Sequence, residues 1–539
     1  MIHSKRGSST ALKFEPVVCW VFRIDAISTS CSPDSADRQR TLLFGRRCTA
    51  RIRESSITKE SPPRIPHNEN FTLSNAEGTR RWLIVQLDRV GVDAPVFFSV
   101  IARAWQLLTG PVTVTLMALF FTPEMRGYFY TFGSVLALQV FFELSLHIVL
   151  INVVSHEWAK LSIDESGELA GDEAAQSRLV SLLKISLKWY AVAAVLFVVV
   201  CGPGGACWLT LGSLPLAEWI APWSALIILT GGLLAVQPLT AILEGCDQLT
   251  TVNQYRFRQA VFGTLVVWSI IGSGLGLWAA AGSAAVRLGW ELHLVGVRYR
   301  HFFRSIFRKT VSAVIDWEAE VWPLQWRLAI QGVATFGTLQ MLTPVIWGTS
   351  GDAEAGRIGM TWTVLIALQA AASAWVDTRR PKFGQLVANG SFDELNALFF
   401  RCSSLSVAML SAGLVAFCGV LTALPYVDWS IAEKLSVAFV SPQSAAVLSL
   451  GILVFQIPNC QTIYIRAHKR EPFLIPSLIV SVCIATSVTI LGIKYGIEGA
   501  AIAWTACICV VQLPLWTMIW RKAHREWHNE SAASPDAGR

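Results

Sequence analysis

Gln139, Glu143 and His147 recur at every fourth residue within an apolar stretch. That spacing puts all three on one face of a helix. A carboxylate and an imidazole that adjoin inside a membrane are a means of holding and passing a proton. A polar row at membrane depth also suits the wall of a water-filled cavity that takes a polar solute. Hydrogen bonding between helices is the plainer role for the same residues. A shift of 230 positions maps the row onto Gln369, Ser373 and Asp377 in a second apolar stretch. Arg103 enters another such stretch, where its guanidinium reaches either an anionic phosphate or the lipid head groups. Gln340, in a fourth, faces a cavity or a neighbouring helix. These eight residues are the candidate substrate pathway, and Glu143 with His147 is the candidate for proton coupling. Arg287 and Glu291 are four apart and suited to pairing, and His293 beside them is expected to be structural. No Walker sequence, HExxH or GxSxG elbow occurs, and the cysteines lack zinc spacing. No enzyme, cofactor, metal or nucleic-acid function is therefore expected.

The elements that carry these residues follow from composition. The 539 residues are 53% hydrophobic and only 15% charged, whereas soluble domains carry about 25% charged residues. The apolar residues fall in blocks of about twenty, the length that crosses a bilayer core. Twelve helical spans are expected: Pro95–Phe121, Tyr128–Val154, Leu187–Leu211, Glu218–Leu243, Gln259–Ala280, Ser283–Val297, Leu328–Ser350, Arg357–Val376, Ser403–Tyr426, Ser441–Ile465, Phe473–Tyr495 and Ile497–Trp520. Lys and Arg concentrate after even-numbered spans, as in Arg298, Arg300, Arg304, Arg308 and Lys309, and are sparse after odd ones. The bias places both termini and the basic loops in the cytoplasm, in a bacterial inner membrane. Apart from Arg103 and Arg287, span interiors hold almost no basic residue.

Residues 1–80 are polar and aperiodic, and are expected to be disordered or untranslated. Residues 81–297 form a first six-helix bundle, 298–325 a basic cytoplasmic linker, 326–520 a second six-helix bundle and 521–539 a cytoplasmic tail. Within the linker, Phe302, Phe303 and Phe307 interleave with basic residues, as in an amphipathic helix lying on the cytoplasmic leaflet. The glycines from Gly272 to Gly276 suit close packing inside a span, and Gly202 to Gly205 suit a span end.

The two halves repeat each other. Trp105, Leu107, Thr122 and Pro123 recur at Trp326, Leu328, Thr343 and Pro344, and Ala137-Leu138-Gln139 recurs as Ala367-Leu368-Gln369. Parallel duplication of a bundle, with the pathway between its copies, is a transporter architecture. Residues 82–520 resemble the multidrug/oligosaccharidyl-lipid/polysaccharide (MOP) exporter superfamily, and within it most of all the Wzx-like polysaccharide-biosynthesis flippases. The likeness rests on Leu108 to Thr113, on Thr122-Pro123-Glu124 through Gly127-Tyr128, on Leu243-Glu244-Gly245 with Arg256, and on Ala355-Gly356. It implies an all-α membrane fold of two six-helix halves in a V that alternates access to a central cavity. It also implies a polyprenyl-diphosphate-linked glycan as substrate, moved to the periplasmic leaflet, with membrane lipid as a partner and proton or sodium coupling. A drug or small-cation antiporter is the alternative, for which Glu143 is suited. A membrane glycosyltransferase needs a larger outward loop than Val427–Val440, the longest expected.

Overall fold

In lipid, backbone N–H and C=O groups must find partners within their own segment, so apolar stretches of this length close into helices. The computed structural model describes residues 94–533, apart from 165, 310–312 and 469–470. The expectations for residues 1–80 lie outside the described residues. The first half contains α1 (Ala94–Phe120), α2 (Pro123–Leu136), α3 (Val140–Glu143), α4 (Leu146–Trp158), α5 (Glu173–Leu209), α6 (Leu216–Gly245), α7 (Leu249–Gly272) and α8 (Trp278–His293). A short helix, α9 (Arg300–Arg308), precedes the second half. There follow α10 (Trp322–Leu339), α11 (Leu342–Ser350), α12 (Asp352–Asp377), α13 (Arg380–Ala388), α14 (Phe392–Ala423), α15 (Ser430–Ala438), α16 (Pro442–Ala467), α17 (Leu474–Cys507) and α18 (Leu513–Ala533). A small antiparallel hairpin, β1 (Leu161–Ile163) with β2 (Leu169–Gly171), joins α4 to α5.

Among the described residues these helices follow the expected order. Six helices among the described residues are long and apolar enough to cross a membrane. Two bent pairs qualify together: α2–α4 at 47° and α10–α11 at 46°. The continuous helix from Leu474 onward is two rods, because Gly496 (φ 59°, ψ −139°) reverses the chain. Ser487 Oγ then lies 3.2 Å from Cys507 Sγ across the hairpin. Among the described rods α1, α7 and α8 do not meet that length and apolarity, and all three line the cavity described below.

Several local expectations need correction. The fifth span begins at Leu249, ten residues earlier than expected, and ends at Gly272. The glycine run is the turn after it, with Gly274 and Gly276 at φ 78° and 53°, a conformation that glycine adopts without steric cost. The Gly202–Gly205 stretch does not end a span, since α5 continues through Pro203. Thr122 caps α2 at a span junction, but its repeat partner Thr343 lies within α11, just past a mid-span bend. That pair is therefore not structurally equivalent.

The linker helix α9 is also placed differently. Phe302, Phe303 and Ile306 are buried, so its apolar face packs into the protein rather than the leaflet. Ser305 Oγ accepts the Leu169 N–H at 3.1 Å. Lys309 Nζ donates to the Leu169 carbonyl at 2.7 Å and to Gln176 Oε1. The Ala313 N–H reaches Ser177 Oγ at 2.8 Å. Arg178 bridges Glu157 at 2.9 Å and Glu320 at 2.5 Å. The linker is thus fastened to the first half along most of its length.

At the opposite end of the rods, called here the far end, α2 and α12 cross with backbone almost on backbone. A Cβ at Gly127 would stand 2.0 Å from the Asp352 carbonyl oxygen, and one at Gly356 would stand 2.8 Å from the Gly127 nitrogen. Asp352 is buried and accepts from Ser213 of the first half twice, from N–H at 2.7 Å and from Oγ–H at 2.6 Å. Tyr128 meets Trp347 edge-on with centroids 4.7 Å apart. Both halves are joined tightly here.

Candidate substrate cavity

A cavity of about 1490 Å³ opens inside the first half, lined by α1, α2, α4, α6, α7 and α8 and closed on one side by α12, α14 and α15. Drug-sized ligands occupy roughly 300–1,000 Å³, so this space suits something larger. Helical periodicity selects its lining. From α1 come Gln106, Gly110, Thr113 and Met117, from α7 Arg256, Gln259 and Gly263, and from α8 Ser283, Arg287 and Glu291. On α7 and α8 these steps of three and four residues keep one face on the cavity, whereas α1 lines it with most of its residues from Gln106 to Met117.

Two ion pairs stand in that wall. Arg256 on α7 pairs with Glu244 at the end of α6, and Arg287 Nε lies 3.5 Å from Glu291 Oε1 on α8. Their exposure is asymmetric. The arginine side chains are 52% and 63% exposed, the carboxylates 12% and 13%. All four residues line the cavity, the guanidiniums exposed and the carboxylates largely covered. A guanidinium offers five N–H donors in a planar fork that matches phosphate oxygens; Arg256 spends two of these groups on Glu244 and Asn253.

The residues singled out from sequence fall in different places. Gln139 and His147 line the cavity, and Glu143 does not. Glu143 is buried and hydrogen-bonded to His147 Nδ1. The three do not share one continuous helix face. The chain is 3-10 helical at Ala137–Gln139 and breaks at Leu144 and Ser145, whose φ values are 51° and 53°. Left-handed residues other than glycine cost about 1–3 kcal/mol each. The second half helps hold this break, since Ser145 Oγ donates to the Leu328 carbonyl at 3.2 Å.

Gln369 and Ser373 lie outside the cavity lining. Gln456 Oε1 accepts from both, at 2.9 and 3.2 Å, and its Nε2 donates to Ser406 Oγ at 2.9 Å. Asn459 donates to Ser373 at 3.1 Å. This is a closed network that ties α12, α14 and α16 together. Arg103 lies 3.9 Å from Asp377, which also pairs with Arg380 at 2.7 Å. That chain of charges joins α1 to α12 at the linker end, away from the cavity lining. Gln340 follows α10 at the 46° bend, its N–H on the Phe336 carbonyl at 2.8 Å. No group of His, Cys, Asp and Glu that could hold a metal occurs among the described residues.

Arg256 and Glu244 were not among the sequence candidates. The early start of α7 is the cause, because it carries Arg256 from an expected loop into a helix that lines the cavity. A signal was present. Both residues belong to the motif that carries the resemblance, and Arg287 with Glu291 already had pairing distance in sequence.

No family model and no curated protein sequence matches this chain. Solved structures do. An inward-facing multidrug-resistance MATE family transporter of the MOP superfamily superposes with a TM-score of 0.56 at 13% identity, over 80% of this chain and 99% of that one. The lipid II flippase MurJ in an inward closed conformation gives 0.52 at 14%, over 81% and 91%. A MOP superfamily transporter from Pyrococcus furiosus, described as having a binding pocket of reversed polarity, gives 0.51 at 11%, over 81% and 96%. At these identities the likeness is one of fold.

Proposed function

We propose that this chain, which has the fold of the MOP superfamily transporters, moves a lipid-linked oligosaccharide across the membrane by alternating access. The observation that carries the reading is the pair Arg256 and Arg287, fronting a cavity larger than drug-sized ligands need. The guanidiniums take the diphosphate of the head group, the sugars occupy the remaining polar wall, and the polyprenyl tail stays in lipid. The Wzx-like flippases are the nearest functional model within the superfamily. The lipid II flippase among the structural neighbours supports a lipid-linked substrate. The drug antiporter reading is weaker, because the carboxylates that line the wall, Glu244 and Glu291, are each paired with an arginine and largely covered. The Glu143–His147 pair, beside the cavity and next to the break in its own span, is the candidate coupling site. The basic loops support a cytoplasmic linker end, and we take the membrane to be a bacterial inner membrane.

The test is accumulation of lipid-linked glycan in a strain lacking this gene, complemented by wild type or by the double variant Arg256→Gln, Arg287→Gln. Glycan trapped on the cytoplasmic leaflet, relieved by wild type and not by the variant, is the expected outcome. Normal surface glycan with heightened sensitivity to cationic drugs would make the chain an antiporter instead.

A further inference from the structure

We infer that α9 binds the head groups of anionic lipids on the leaflet at the linker end, through a row of arginines rather than through its apolar face. Arg300, Arg304 and Arg308 follow one another in steps of four and so share one face. Phe302, Phe303 and Ile306 take the opposite face and are consumed by packing against the protein. An amphipathic surface helix sinks its apolar face into lipid, and this one has no such face left. What remains outward is basic. The three arginines and Arg298 are all exposed, and none pairs with a carboxylate among the described residues.

Position selects the ligand. Tyr299 alone separates α9 from Leu294–Arg298, the turn that ends the sixth rod. The row therefore begins within a turn of the membrane boundary, and exposed Val297 and Phe307 flank it. Guanidiniums meet phosphate oxygens through paired N–H bonds, and apolar neighbours at that depth are compatible with lipid. The acidic hairpin turn with Asp164 and Glu168 lies to one side, where Gly167 rests against His301. The bonds from Ser305 and Lys309 to Leu169 fix the helix on the first half, so the row is presented in one orientation.

Each arginine near an anionic leaflet contributes about a fivefold gain in binding. The experiment titrates phosphatidylglycerol against the purified full chain in phosphatidylcholine nanodiscs and reads retained lipid by native mass spectrometry. The triple variant Arg300→Gln, Arg304→Gln, Arg308→Gln is expected to weaken retention on the order of a hundredfold. Glutamine keeps the helix propensity, and thermal unfolding checks the fold. A second variant, Arg521→Gln, Lys522→Gln, Arg525→Gln, removes the same formal charge from α18, where Lys522 lies 4.0 Å from Glu526, and is expected to weaken retention at least tenfold less than the first. Wild-type retention in the first variant would overturn the inference and turn the row toward an acidic protein partner. Equal losses in both variants would overturn it in favour of diffuse charge attraction. The readout requires no transport, so its failure is separate from that of the flippase reading.

Discussion

Gly127→Ala should prise open the far end of the molecule. The new Cβ would stand 2.0 Å from the Asp352 carbonyl oxygen. Carbon and oxygen rest about 3.3 Å apart, so α2 and α12 must separate by about 1.3 Å. The clash is with backbone, which no rotamer change relieves. Overpacking of this kind costs about 1–3 kcal/mol. The cost falls only on the state in which the far ends touch, so the far-end-open population should rise by about five- to 150-fold. Alanine's better helix propensity acts in both states and cancels. The assay is a spin-label distance between Leu211 and Tyr495, both exposed near the far end, in a background with the native cysteines replaced. A longer distance should appear in Gly127→Ala and not in Gly204→Ala, where an added Cβ meets nothing within 4 Å. Unchanged distances in a folded Gly127→Ala protein would refute the claim that this crossing is the closed gate.

Asp352→Ala removes the acceptor of two Ser213 bonds and should shift the same distance the same way, by about 1.5–3 kcal/mol; an unshifted distribution would make Asp352 incidental to closure. Glu143→Gln keeps a bond to His147 without the charge, so unfolding stability should fall by only about 1 kcal/mol. Transport in proteoliposomes driven by a pH gradient should nevertheless drop at least tenfold, and wild-type driven rates would remove the pair from coupling. Gln456→Leu removes one partner each from Gln369, Ser373 and Ser406, which keep bonds to Ser373, Asn459 and Ala372, and should cost about 1–3 kcal/mol while leaving transport by the folded fraction intact. Intact stability with lost transport would move that network into the pathway. Asp164 has its carboxyl pKa lowered by the Ser166 hydroxyl first and the Glu168 N–H next. A lowered value stabilises the turn above the ordinary value and loses that support as pH falls through the folded one. The protection factor of the Glu168 amide should therefore fall only below about pH 3.8, measured by hydrogen exchange against the intrinsic rate at each pH.

The rods were legible because their lengths and apolar runs are set by the membrane, and the reversal at Gly496 falls at the expected boundary between the last two spans. Local breaks were less so. Leu144 and Ser145 adopt a conformation that sequence rules assign to glycine, so the row Gln139, Glu143, His147 looked continuous when it is not. The α7 boundary was hidden for a different reason. Its first turns carry Asn253, Gln254, Arg256 and Arg258, which resemble a loop to any rule that equates span with apolar run. They belong to a helix because part of its wall is wetted. The same fact hid Arg256 from the candidate list. The likeness between Gln139 and Gln369 was real in sequence and unequal in space, since one lines the cavity and the other is spent on Gln456.

The fastened linker has a mechanical consequence. Residues 305, 309, 313 and 320 are all bonded to the first half, so the last anchor before the second half is Glu320, two residues short of Trp322. If the halves rock, the fulcrum sits where Arg178 grips Glu320, and each rod of the second half is a lever arm. A helix of 26 residues, the length of α12, reaches about 39 Å. A turn of about 10° at that fulcrum therefore sweeps the other end through about 7 Å, enough to part the crossing at Gly127 several times over, while the Arg178 grip hardly moves.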